Sequence, residues 1–141
     1  MSLDMKGPES DAAEQPAPRI PGSRPRIVVG YASRPEGRAA LARALVEADL
    51  RASELIVLHN ADDDVVELRA ELDATGQAYE LRSPTDALDP AEDLIVTAED
   101  AGAAFIVIGL RRRSPVGKLL LGSNAQRVLL DASCPVLAVK A

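Results

Sequence analysis

The residues of this chain best suited to chemistry run from Gly109 to Ser123, reading Gly-Leu-Arg-Arg-Arg-Ser-Pro-Val-Gly-Lys-Leu-Leu-Leu-Gly-Ser. The segment follows an apolar run and leads into a helical pattern. Glycine lets backbone approach a ligand, and a helix N-terminus presents unpaired N–H groups to an anion. Ser123 can cap that helix or donate to a phosphate oxygen. Arg111, Arg112, Arg113 and Lys118 gather positive charge in a chain whose net charge is −6. The chemistry on offer is the binding of a small anion. A solvated basic loop ending in an ordinary turn and cap is the alternative that these residues leave open.

Better-known phosphate fingerprints are missing. No Gly-x-Gly-x-x-Gly follows the first apolar run, and Gly117-Lys118 is followed by Leu119 rather than Ser or Thr, so there is no P-loop. A phosphoacceptor site would need acidic residues where Ala32 and Ser33 stand. His59 is the one histidine and Cys134 the one cysteine, which removes two-histidine metal sites, cysteine metal clusters and an intrachain disulfide. His59 is expected to end a strand with its ring satisfied by backbone, and Cys134 to be a buried, inert thiol. Asp62, Asp63 and Asp64 read as the acidic start of a helix rather than a metal site.

Composition narrows the class further. The 141 residues suit one domain, with 47% hydrophobic and 27% charged residues. The acidic balance argues against the nucleic-acid backbone as partner, and aromatic residues at 2% give no platform for stacking bases. No apolar run approaches the ~20 residues of a membrane helix, and no signal-peptide core is visible. The expected location is the cytoplasm, away from membranes.

The elements that must position the loop follow from periodicity. Residues 1–25 hold five of the ten prolines and read as a flexible arm; residues 26–141 read as the domain. Ile27-Val28-Val29-Gly30-Tyr31 is a buried strand, followed by a helix opened by Pro35 with Leu41, Ala44, Leu45 and Ala48 on one face. Leu55–Leu58 is a second strand. A helix is expected from about Asp63 to Thr75, stopped by Gly76, and then a short strand over 77–82. Asp89-Pro90-Ala91-Glu92 is a helix start with a capping aspartate. Phe105–Ile108 is the fourth strand. The last helix begins near Ser123, with Ala125, Val128, Leu129 and Ala132 facing inward, and Val136–Val139 is the fifth strand. Alternating strands and helices with continuously apolar strands predict an α/β, doubly wound parallel sheet covered by helices on both faces. Ligands of such folds bind beyond the carboxyl ends of the strands.

Gly109, twelve residues, then Gly122-Ser123 leading into Asn-Ala-Gln-Arg-Val-Leu and Cys-Pro-Val-Leu-Ala-Val resembles the universal stress protein family. The likeness extends to Asp89–Glu92, Phe105–Gly109 and Ile27–Leu45. It implies a five-stranded sheet in the order 3-2-1-4-5, commonly a homodimer, and in many members ATP or another adenine nucleotide in the cleft. The family motif is Gly, two residues, Gly, nine residues, Gly, then Ser or Thr. Carried over, its first and third glycines are Gly109 and Gly122 and its serine is Ser123. Arg112 stands in place of the second glycine, and Ala32 in place of an aspartate near the ribose and adenine. The adenine position falls near His59 and Asn60, with backbone contacts from Gly30, Ile108 and Asn124. Arg112 either fills space that glycine leaves to the phosphates or contacts them through its guanidinium. Loss of the aspartate removes a hydrogen-bond acceptor.

The function expected on this resemblance is a non-catalytic stress-response module with an adenine-nucleotide site at the Gly109–Ser123 loop. The alternative is a protein-interaction module of the same fold without nucleotide. A slow nucleotide hydrolase is the weakest reading, because no base, carboxylate pair or magnesium ligand stands near the loop. If the implied strand order holds, residues 136–139 form an apolar sheet edge, which suits pairing across a two-fold axis.

Overall fold

In the computed structural model, residues 24–111 and 121–141 are described. The elements alternate as expected: β1 (Arg26–Gly30), α1 (Pro35–Arg51), β2 (Glu54–Leu58), α2 (Val65–Thr75), β3 (Tyr79–Arg82), α3 (Pro90–Ala101), β4 (Phe105–Leu110), α4 (Ser123–Asp131) and β5 (Val136–Lys140). The strands form one parallel sheet in the order β3-β2-β1-β4-β5. Successive strand side chains point to opposite faces, so each central strand feeds two cores. Ile27, Val29, Leu55, Val57 and Val107 meet Ala40, Leu41, Ala44 and Ala48 of α1 and Leu68 and Leu72 of α2. On the other face Val28, Ile56, Leu58, Ile106 and Ile108 meet Ala91, Leu94 and Ala98 of α3 and Val128 of α4. Burial on both faces is why these strands are apolar without alternation.

Helix ends follow from local chemistry. Asp89 caps α3 by accepting from the Glu92 amide at 2.8 Å, with Pro90 at the first helical position. Asp64 caps α2 in the same way from the Glu67 amide at 3.1 Å, so this helix starts at Val65 rather than Asp63. Gly76 and Gly102 end α2 and α3 with positive φ. Strand β3 starts at Tyr79, later than 77, because the Gln77 backbone amide is spent on the end of α2, donating to Thr75 Oγ1 at 3.1 Å. Leu129 does not face inward. The stripe that α4 turns to the core runs through Ala125, Val128 and Ala132, and Leu129 lies 38% exposed beside it. On α1 the buried Glu47 carboxylate is held between Arg43 at 2.6 Å and Arg51 at 3.2 Å. The Pro25 carbonyl accepts from the Glu54 amide, so sheet bonding reaches back to residue 25. Residues 1–23 of the expected arm lie outside the described residues.

Candidate functional site

Strands β1 and β4 are neighbours whose chains leave toward opposite faces of the sheet: α1 follows β1 onto one face and α4 follows β4 onto the other. Their carboxyl ends therefore diverge and open a crevice. Backbone bonds carry the sheet past the strand ends, from Tyr31 N–H to Leu58 O at 2.9 Å and from His59 N–H to Arg82 O at 3.2 Å. Asp63 then ties two strand-end loops together. Its carboxylate accepts from the Ser33 amide at 3.1 Å and from the Asn60 amide at 2.8 Å. The acidic run after the second strand thus does two jobs: Asp64 caps α2 and Asp63 clamps the rim of the crevice.

The crevice holds a cavity of about 290 Å³. Gly30, Ala32, Asn60, Ile108, Gly109 and Asn124 all line it, with Leu58, Leu94 and Val128 as apolar walls and Pro84, Leu88 and Ala91 along one side. His59 is buried in its wall. Its Nδ1 lies 2.8 Å from the Asn60 carbonyl and its Nε2 3.4 Å from the Ser83 hydroxyl. Nδ1 therefore carries the proton donated to the carbonyl, and the ring is satisfied within the protein. Asp93, also buried, accepts from the Thr85 amide at 2.8 Å and fixes the segment before α3 against the cavity. Burial pushes the Tyr31 phenol above its ordinary value.

A second cavity, of about 280 Å³, adjoins the first. Arg34, Leu110, Arg111, Gly122 and Ser123 line it, and Glu36, Gly109, Asn124 and Ala125 are common to both. Here α4 begins. Gly122 is the N-cap, with no side-chain capping bond, and its carbonyl receives the first helical bond from the Gln126 amide at 3.0 Å. Ser123 is thus not the cap: it is the first helical residue, because Gly122 already has the extended conformation of an N-cap. The amides of Ser123, Asn124 and Ala125 precede the first helical donor and carry the positive end of the helix dipole. Arg34 and Arg111 add charge of the same sign. Glu36 is the acidic exception; its Oε2 lies 3.8 Å from Arg111 Nε, and its Oε1 is buried with no hydrogen-bond partner among the described residues.

The glycines of the motif differ in purpose. A Cβ on Gly109 would collide with the Glu36 backbone, so this glycine lets β4 pass the first turn of α1. A Cβ on Gly37 would collide in the same way with the Ala32 backbone. Among the described residues nothing stands within 4 Å of a Cβ on Gly122, whose backbone has no positive φ. Open space at Gly122 suits the approach of a ligand to the helix start. Arg112, Arg113 and Lys118 lie outside the described residues.

The family model described as Universal stress protein family matches residues 24–140. The chain belongs to the universal stress protein family. A universal stress protein of Mycolicibacterium smegmatis is 43% identical, covering 81% of this chain and 96% of that one. A universal stress protein structure from Archaeoglobus fulgidus is similar at a TM-score of 0.68 and 30% identity, covering 83% of this chain and 98% of that chain. Another from Archaeoglobus fulgidus, solved in complex with dAMP, has a TM-score of 0.62 and 24% identity over 83% of this chain and 98% of its own. The five-stranded order expected of a universal stress protein is the one observed.

Of the ten residues carried over from the family motif, the nine that are described line one or both cavities. Glu36, Asp63 and Asp93 were not among them. Glu36 and Asp93 sit in the first turns of α1 and α3, where a carboxylate reads as a routine partner of the helix dipole. Only the packing of those turns against β4 and the β3–α3 loop brings them to the crevice. Among the described residues there is no group of three or more His, Cys, Asp or Glu able to hold a metal, and no helix long and apolar enough to cross a membrane.

Proposed function

We propose that this chain is a non-catalytic adenine-nucleotide-binding module of the stress-response type, holding the base in the apolar cavity and the phosphate at the start of α4. The observation that carries this reading is the junction of the two cavities at Gly109 and Asn124. A nucleotide has the same division, an apolar ring at one end and an anion at the other. Leu94, Ile108 and Val128 suit the faces of a base, and the strand-end backbone around Asn60 suits its polar edge. The free amides of α4, Arg34 and Arg111 suit phosphate. The dAMP complex of the Archaeoglobus fulgidus relative supports adenine as the base.

Binding without turnover fits the charged side chains of the polar cavity. These are Arg34, Glu36 and Arg111, so the described lining of this cavity has one carboxylate and no second to pair with it. The single helix start and the two arginines lining the polar cavity, Arg34 and Arg111, suit a monophosphate at least as well as the chain of ATP. We further propose a homodimer through the β5 edge, whose residues 136–139 stay only half-buried in the monomer. Light scattering at tens of micromolar should give twice the chain mass, and a monomer there contradicts it.

Titration calorimetry with AMP, ADP and ATP, each with and without magnesium, tests the site. Saturable heat with at least one of them below about 1 mM is expected. No heat from any of the three overturns the nucleotide reading and leaves the protein-interaction module.

A further inference from the structure

We infer that Glu36 reads the sugar of the bound nucleotide, accepting a hydrogen bond from a ribose hydroxyl and so favouring ribonucleotides over deoxyribonucleotides. The inference rests on the proposed nucleotide site and names its specificity. Glu36 lies on the wall common to the apolar and polar cavities. The part of a nucleotide between base and phosphate is the sugar, and the donors of a sugar are its hydroxyls. An ionised carboxylate accepts hydrogen bonds and donates none, so it matches a hydroxyl and repels a phosphate oxygen.

The state of the carboxylate supports this match. Oε2 already faces Arg111 at 3.8 Å. Oε1 is shielded from solvent and has no donor among the described residues. A buried acceptor left without a donor is costly, and a turn of the Glu36 side chain that brings Oε1 out to the cavity relieves that cost once a ligand hydroxyl is there to meet it. The neighbouring wall residues Ala32, Gly37 and Gly109 have no side-chain acceptor to compete. Asn124, the other polar side chain common to both cavities, can donate as well as accept and does not discriminate in this way. Arg111 keeps the carboxylate from repelling the nearby phosphate in full, which lets an acid stand beside an anion site.

Calorimetry with AMP, 2′-deoxy-AMP and 3′-deoxy-AMP tests the inference on the wild-type chain, on Glu36→Gln and on Glu36→Ala. At least one deoxy analogue is expected to bind wild type about tenfold more weakly than AMP. Glu36→Gln, which keeps an acceptor, is expected to retain part of the difference, and Glu36→Ala to remove it. Equal binding of all three nucleotides by wild type overturns the assignment and leaves the nucleotide site standing. Discrimination that persists in folded Glu36→Ala also overturns it. Failure of wild type to bind AMP, ADP and ATP alike overturns the nucleotide site and this inference together, and where only ADP or ATP binds, the same comparison is made with its 2′- and 3′-deoxy forms.

Discussion

Gly109 at the end of β4 lies against the Glu36 carbonyl so closely that a methyl group could not be placed between them. The clash is with backbone, which cannot turn aside as a side chain can. Gly109→Ala is therefore expected to lose about 2 kcal/mol of stability in urea denaturation, in the range of overpacked cores. A loss under about 0.5 kcal/mol would mean that α1 shifts freely away from β4.

Gly122 gives the opposite expectation. It occupies an N-cap with no capping side chain, and among the described residues nothing stands within 4 Å of where its Cβ would be. Gly122→Asp supplies the missing cap and reduces the freedom of the unfolded chain, so stability should rise by about 0.5 kcal/mol. The new carboxylate then takes the amides proposed for phosphate, and nucleotide binding should vanish. Unchanged affinity in a stabilised variant would show that phosphate does not use this helix start.

Asp63 holds the Ser33 and Asn60 amides at the rim of the crevice. Asp63→Ala removes both bonds, and charge-assisted bonds of this kind contribute about 2 kcal/mol in sum after exchange with water. Thermal or urea unfolding should record that loss, with faster hydrogen exchange at residues 33 and 60. A variant as protected as wild type would show that the two loops hold their places without the clamp.

These three residues also mark how far the sequence can be read. The strands were legible because Ile27–Val29, Leu55–Leu58 and Phe105–Ile108 are apolar without alternation, as burial on both faces requires. The starts of α2 and α3 were legible from their aspartates and Pro90. Strand order was not carried by periodicity; it came with the family resemblance. The clamp by Asp63 was hidden because its partners, Ser33 and Asn60, are backbone amides that any residue type could supply. The separate duties of Gly109 and Gly122 were hidden as well, since glycine in a motif does not say whether protein backbone or ligand needs the space. Leu129 was misplaced because a nine-residue helix turns only a narrow stripe to the core.

Cys134 is half-buried rather than fully buried as expected, and that burial, with a smaller push from Glu99, raises its thiol above the ordinary value. The neutral thiol is the form the fold favours, so any stability it contributes is present below about pH 8.5 and is lost as pH rises through the raised folded value. Thiol-reactive dye should label the native chain more slowly than the urea-unfolded chain at neutral pH, with the gap closing above the ordinary thiol range. Equal rates at pH 7 would contradict a shielded thiol.

The central claim, a nucleotide spanning two joined cavities, is tested most directly by amide chemical-shift mapping with AMP. Saturable shifts are expected at Ser123, Asn124 and Ala125 for the phosphate and at Asn60 and Gly109 for the base and the junction. No shifts at millimolar AMP, ADP or ATP, or shifts gathered away from both the α4 start and the β1–β4 crevice, would contradict the account.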